Sequence, residues 1–228
     1  VSSDDPDLNQ PAGRRPPPAS GGPIVNAPLV VVVLAAAIVL AHLASLGLFG
    51  GGASAQAIAI WLGAVRTGAL AAEVPQAPVF GLSPYVLHVF VHFGWFHLLV
   101  NVGILLAVGS ATARAFGTGV KATLGFLIFF FACAIGGAVL SVIVNLGSPS
   151  YMAGASTAVS GLIASAGWVR GGRPGMLQLA MPWFGLNLAL GVAEVFVDQP
   201  FAWAGHIGGL LVGMLAFPVF VRLFRSPA

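Results

Sequence analysis

Charge is what this chain has least of. Of its 228 residues, 9 are Lys or Arg and 6 are Asp or Glu, 7% in all. A soluble domain of this length needs far more charge to cover its surface, so the natural solvent is a bilayer. The basic residues are few and scattered, so the high pI of about 9.8 does not point to nucleic acid. There is one cysteine, Cys133, inside an apolar run, which excludes an intrachain disulfide and a metal site built from cysteines. The acidic residues are Asp4, Asp5 and Asp7 near the N-terminus, Glu73 in a loop, and Glu194 and Asp198 at the end of an apolar segment. None lies in the middle of a span. That argues against proton-relay transport and against metalloprotease chemistry, and His88 and His92, although spaced i,i+4, lack the glutamate a zinc protease uses as base. Paired inverted repeats, expected of a small-molecule transporter, are also absent from the pattern.

What the chain has instead is hydrocarbon: 58% of residues are hydrophobic, with a mean hydropathy of +0.98. Runs of about 20 apolar residues are needed to span a bilayer. Six are read, at 27–48, 95–113, 121–144, 152–169, 176–196 and 203–223. Residues 1–23, rich in Pro, Gly, Ser and Asp, are expected to be a disordered cytoplasmic tail, and residues 24–228 the membrane domain. The stretch 50–94, broken by three glycines and by Pro75, Pro78 and Pro84, is expected to be a long interfacial first loop, helical in part around Ala55–Leu70. Arg14, Arg15, Arg114, Lys121, Arg170, Arg173, Arg222 and Arg225 all fall on one side under this count, and only Arg66 on the other. The positive-inside rule then puts both termini in the cytoplasm.

Polar side chains in the spans are the candidates for function. His97 and Asn101 lie in the first turns of the second span, i,i+4 neighbours on one face. Ser156 opens the fourth, and His206 lies in the first turn of the sixth. These three spans run in the same direction, so the four groups converge at one depth, toward the outer side. The set suits nucleophilic attack on an amide. Ser156 would attack, His206 would take its proton, and an Asn amide, a His ring and the free N–H groups of a helix start could hold an oxyanion. With no carboxylate in the span this is a Ser–His dyad. Gly205, Gly209 and Gly213 form a small-xxx-small face on span six, and Gly154, Ala158, Gly161 and Ser165 offer small residues on span four, so the two spans are predicted to touch at Ser156 and His206.

In these residues the chain resembles the rhomboid intramembrane serine proteases, over most of 85–217. HVFVHFGWFHLLVN at 88–101 resembles the family's histidine-rich start of the second helix, with its HxxxN element as His97 and Asn101. GAS at 154–156, followed by Gly161, is similar to the nucleophile motif, and GHIGGLLVG at 205–213 to the AHxxGxxxG element of the sixth helix. The resemblance implies an all-α, six-helix polytopic bundle that hydrolyses peptide bonds in or beside transmembrane segments of protein substrates, without cofactor or metal. It implies Ser156 as nucleophile, His206 as base, His97 and Asn101 with the Ser156 N–H as oxyanion donors, and His88 and His92 as supports of the first loop and cavity. Gly154, Ser160, Gly209 and Gly213 complete the supporting set. A bacterial inner membrane, with the site opening to the extracytoplasmic side, is the implied location. No nucleic-acid partner is expected, and the oligomeric state is open.

Three positions depart from the family's pattern. Thr157 stands where glycine is usual. Ser160 replaces an aromatic beneath the base and is expected to bond His206. SPYV at 83–86 stands where a Trp-Arg pair is usual. A non-catalytic rhomboid-like protein that binds transmembrane helices is the alternative, resting on Thr157. A movable lid is expected from the first loop or from the segment between Asp198 and Trp203. His42 has no partner in the pattern, Trp183 and Trp203 read as interface anchors, and Phe126, Phe129, Phe130 and Phe131 are expected to face lipid and neighbouring helices.

Overall fold

The computed structural model describes residues 27–73, 75–197 and 201–226. The expected N-terminal tail, with Arg14 and Arg15, and Asp198 in the expected lid segment lie outside these residues. Helix dominates the remainder. In chain order the elements are α1 (Leu29–Ser45), α2 (Gly52–Gly63), β1 (Val65–Thr67), the short α3 (Ala69–Glu73) and α4 (Ser83–Leu87), a 3-10 turn at His88–Phe90, and α5 (Trp95–Ile104). A π turn (Leu105–Gly109) joins α5 to α6 (Ser110–Phe116). Then come α7 (Gly119–Val144), β2 (Ser150–Met152), α8 (Ser156–Ala193) and α9 (Trp203–Phe224).

Among the described residues, four helical stretches are long and apolar enough to cross a membrane: Trp95–Phe116, Gly119–Val144, Ser156–Ala193 and Trp203–Phe224. α1 is apolar but only 17 residues long, about 26 Å at the helical rise and so slightly shorter than a typical hydrocarbon layer. The 38 residues of α8 are not one rod. Gly171 (φ −160°, ψ 30°) and Gly172 (φ 59°, ψ −146°) leave helical geometry, and Gly172 occupies the left-handed region that only glycine enters freely. The chain reverses there: a Cβ on Gly167 would lie 2.5 Å from the Gly175 carbonyl, and Trp183 reaches back to Ser160. α8 is therefore an N-terminal arm ending near Gly171 and an antiparallel C-terminal arm.

α9 packs against the N-terminal arm of α8 and against α7, through glycine. A Cβ on Gly209 would collide with the Thr157 carbonyl, one on Gly213 with the Gly161 carbonyl, and one on Gly208 would stand 2.5 Å from the Gly136 carbonyl. The small-residue faces read in the sequence are thus the contact surfaces, as expected of membrane helices that approach backbone to backbone. Pro218 lacks an N–H and leaves the Met214 carbonyl without its helical donor. The indole of Trp168 on α8 fills that gap, donating to Met214 O at 3.0 Å. At the same end of the bundle the Ser226 N–H donates to the Phe116 carbonyl at 3.0 Å, joining the ends of α9 and α6.

Two expectations change. The first loop is helical in part, as expected, but in separate pieces at Gly52–Gly63, Ala69–Glu73 and Ser83–Leu87, and between the first two of them β1 pairs antiparallel with β2, Val65 opposite Met152 and Thr67 opposite Ser150. Strands of three residues are too short to leave a periodic signature. Arg66, expected on the side opposite the other basic residues, acts locally, its guanidinium donating to the carbonyls of Ile60 (3.0 Å) and Trp61 (2.9 Å) and so capping α2. Phe126, Phe129 and Phe130 are fully buried, facing neighbouring helices as expected but not lipid. Phe126 and Phe129 pack with Phe116 and Phe217 at ring separations of 5.4 to 6.4 Å, and Phe130 lies edge-on to Phe131 at 5.4 Å; a helix apolar on every side carries no pattern to say which side is the core.

If glycine sets the helix spacing, Gly209→Ala destabilises the fold by roughly 1–3 kcal/mol through overpacking. Thermal unfolding in detergent should show a lower midpoint than wild type, whereas an unchanged midpoint would contradict the close α8–α9 approach.

Candidate active site

Ser156 is the first residue of α8, and His206 lies in the first turn of α9. The glycine contacts one and two turns further along bring the two helix starts together. Ser156 Oγ and His206 Nε2 are 2.8 Å apart. On the other edge of the ring, His206 Nδ1 is 2.7 Å from Asn187 Oδ1, on the C-terminal arm of α8. A carbonyl oxygen only accepts, so the arrangement fits a ring with its proton on Nδ1 and a lone pair on Nε2 facing the serine hydroxyl. This is the protonation pattern in which an imidazole can take a serine's proton.

The approach to the serine is built around Gly154. Its φ of +117° is one that side-chain-bearing residues rarely adopt, and a Cβ there would lie 2.6 Å from His97 Cε1. Glycine thus makes room for the His97 ring beside the start of α8, as the shared depth predicts. Asn101 is buried one turn along α5 and donates from Nδ2 to the His97 carbonyl at 2.8 Å. The amide has a second N–H, and the first N–H groups of α8 have no partner within their helix. The His97 ring thus lies against Gly154, close to Ser156 in the chain, the free N–H groups belong to the helix that Ser156 opens, and Asn101 stands one turn behind His97.

His88 and His92 hold the loop against this helix start. His88 Nδ1 donates to the Pro84 carbonyl at 2.8 Å, which leaves Nε2 to accept from the Thr157 hydroxyl at 2.9 Å. The His88 carbonyl accepts from the Gly154 N–H at 2.8 Å, and His92 Nε2 accepts from the Ala155 N–H at 3.4 Å. Thr157 is thereby explained. Its hydroxyl is taken up by His88, and its β-carbon fills the space left by Gly137, where a Cβ would lie 2.6 Å from it. Burial pushes His88 down to about 4, and burial, then the neighbouring His97 and His42, push His92 down to about 3. Both rings are neutral at physiological pH.

Ser160 does not bond His206 as expected. Its hydroxyl donates to the Ser156 carbonyl at 2.7 Å, the usual partner of a serine inside a helix, and accepts from the Trp183 indole at 2.9 Å. Trp183 is correspondingly not an interface anchor. Its ring lies 6.0 Å from that of His206 at 40°, so the aromatic neighbour of the imidazole comes from another helix. Trp203, also read as an anchor, donates from Nε1 to Glu194 Oε2 at 2.8 Å. His42 is buried edge-on to Trp95 at 5.0 Å. Asn187 is the residue whose place the sequence did not indicate. Its signal was present, since a buried amide inside a span is costly and calls for a reason, but nothing in the spacing says which helix it meets. Among the described residues, no group of three or more His, Cys, Asp or Glu side chains is placed to share a metal ion.

Residues 79–223 match the Rhomboid domain, and the chain belongs to the rhomboid family. It is 32% identical over 140 residues to the Rhomboid protease GluP of Bacillus subtilis (strain 168), across 59% of this chain. The aligned part is 24% of that protein, so the chain matches about a quarter of its relative's length. The family and the apolar helices make this an integral membrane protein.

Because His88 and His92 stay neutral when folded and take up protons when unfolded, stability is greatest above the ordinary histidine range. It falls as pH drops from about 6.5 toward 4. The unfolding midpoint in detergent should decline between pH 7.5 and pH 5, and the decline should shrink in His88→Gln. A flat profile would count against the buried neutral rings.

Proposed function

We propose that this chain is an intramembrane serine endopeptidase acting by a Ser156–His206 dyad on transmembrane segments of protein substrates. The single observation that carries the reading is the 2.8 Å contact of Ser156 Oγ with His206 Nε2, while Nδ1 is held by an acceptor. Ser156 Oγ attacks the scissile carbonyl carbon as its proton passes to Nε2. The oxyanion is held by the Ser156 N–H, His97 and Asn101, with a contribution of the kind measured for oxyanion donors elsewhere, about 3 kcal/mol each. Collapse breaks the C–N bond, and the imidazolium protonates the leaving amine. Water, deprotonated by His206, then releases the acyl group from Ser156 and restores the dyad. Gly154, Gly209 and Gly213 provide the close approach, and His88 and His92 brace the helix start. The non-catalytic alternative rests on Thr157, and the engagement of its hydroxyl by His88 supports a bracing role for that residue instead.

The topology proposed with this function has six crossings: α1, the α5–α6 rod, α7, the two arms of α8, and α9. The reversal at Gly171–Gly172 supports separating the two arms. Both termini would be cytoplasmic, in a bacterial inner membrane, with Ser156 and His206 near the extracytoplasmic face. Residues 1–23 would be a cytoplasmic tail and 50–94 an interfacial loop.

The direct test is labelling in detergent with a fluorophosphonate, together with cleavage of a model transmembrane substrate. Wild type and Ser160→Ala should label, while Ser156→Ala and His206→Ala should lose both labelling and cleavage by at least about a thousandfold. A folded wild type that neither labels nor cleaves would overturn the proposal. Reporter fusions at Gly117 and Ser148 should report opposite sides of the membrane, Gly117 cytoplasmic, and the same side for both would refute the proposed topology.

A further inference from the structure

A serine and a histidine at hydrogen-bond distance make a base only if the imidazole carries its proton on the far nitrogen. In a membrane helix pair without a carboxylate, that preference must come from a neutral group. We infer that Asn187 is a positioning residue that holds His206 with its proton on Nδ1, so that the C-terminal arm of α8 is a working part of the proposed dyad. The inference rests on the protease reading for its consequence, but the state of the ring is measurable whether or not the protein cleaves anything.

Asn187 is only 1% exposed. Its amide is oriented by its own helix: Nδ2 donates to the Trp183 carbonyl at 2.8 Å, which turns Oδ1 toward the imidazole. The resulting 2.7 Å contact is polar at both ends and shielded from water, where a lost partner costs more than at a surface. The nearby carboxylate cannot take this place. Glu194 Oε1 accepts from the Phe201 N–H at 3.1 Å and Oε2 from the Trp203 indole at 2.8 Å. An amide oxygen fixes the ring without placing a charge in the hydrocarbon region, where an ionised partner would carry a large desolvation cost.

The same face of this arm holds its neighbours at three levels. Trp183 donates to Ser160, one turn beyond Ser156. Asn187 meets His206. Glu194 receives the start of α9 through Trp203, whose ring packs on Gly191, where a Cβ would lie 2.9 Å from it. Spacings of four and seven residues put Trp183, Asn187 and Glu194 on one stripe. The arm thus grips both the serine-bearing helix and the histidine-bearing helix, and its position decides whether His206 meets its acceptor.

The test is solution NMR of the full chain with 15N-labelled histidine in detergent micelles at neutral pH. The His206 signals are assigned by their loss in His206→Gln. In wild type the proton should sit on Nδ1. In Asn187→Leu, which keeps the bulk and removes the acceptor, it should redistribute to Nε2, and fluorophosphonate labelling should fall by roughly ten- to a hundredfold. Asn187→Asp, which keeps an acceptor oxygen, should restore the Nδ1 form and recover much of the labelling. A wild-type His206 protonated on Nε2 overturns the inference whatever the variants do. So does an Asn187→Leu protein with unchanged ring signals and labelling. If the ring behaves as expected but wild type never labels, the protease reading falls and the positioning role of Asn187 stands.

Discussion

The distance between two helix backbones governs this protein. Gly209 and Gly213 let α9 lie directly on the carbonyls of Thr157 and Gly161, and Gly208 on that of Gly136. Any side chain at those positions would push the helix starts apart. A hydrogen bond tolerates only a few tenths of an ångström before it weakens steeply, so the Ser156–His206 contact exists because side chains are missing one and two turns away. Bulk hydrophobicity does not bring helices together in lipid, because the tails are as apolar as the side chains. Close backbone packing and buried hydrogen bonds do that work instead.

The second feature of the site is its neutrality. Ser156, His206 and Asn187 form a chain of donors and acceptors without a formal charge, and His88 and His92 are neutral rings that bond backbone or hydroxyl groups. In two of the rings, His88 and His206, the partner of one nitrogen is selected by what the other nitrogen does. Pro84 accepts from His88 and so makes its far nitrogen an acceptor for Thr157. Asn187 accepts from His206 and so makes its far nitrogen an acceptor for Ser156. One principle sets both rings, in the loop and in the proposed dyad.

Much of this was legible from sequence because it depends on spacing along one chain. His97 and Asn101 share a face at i,i+4, the glycines of α9 repeat every four residues, and Ser156, His97 and His206 each stand near the start of a long apolar segment. Their convergence followed from direction and depth. Less was legible where an element is short or a contact crosses between helices. Pairing of three-residue β1 with β2 has no period to detect. Ser160 was expected on the imidazole, but its own helix offers the Ser156 carbonyl at closer range, and an indole from the opposite arm takes the other side. Arg66 looked like an exception to the charge pattern until the end of α2 supplied it with two carbonyls.

Composition and periodicity by themselves determined that this is a helical membrane protein, which helices carry the polar groups, and which faces are small enough to approach. These properties are local, set by residues within a turn or two and by the cost of leaving polar groups in hydrocarbon. Tertiary structure alone decided the partners: Thr157 with His88, Trp183 with Ser160, Asn187 with His206. Each pair joins residues at least 19 positions apart, and no periodicity within one helix can encode which distant group will face it. That choice was made by the glycine contacts and by the reversal at Gly171–Gly172, which together fix the rotation and height of every helix around the site.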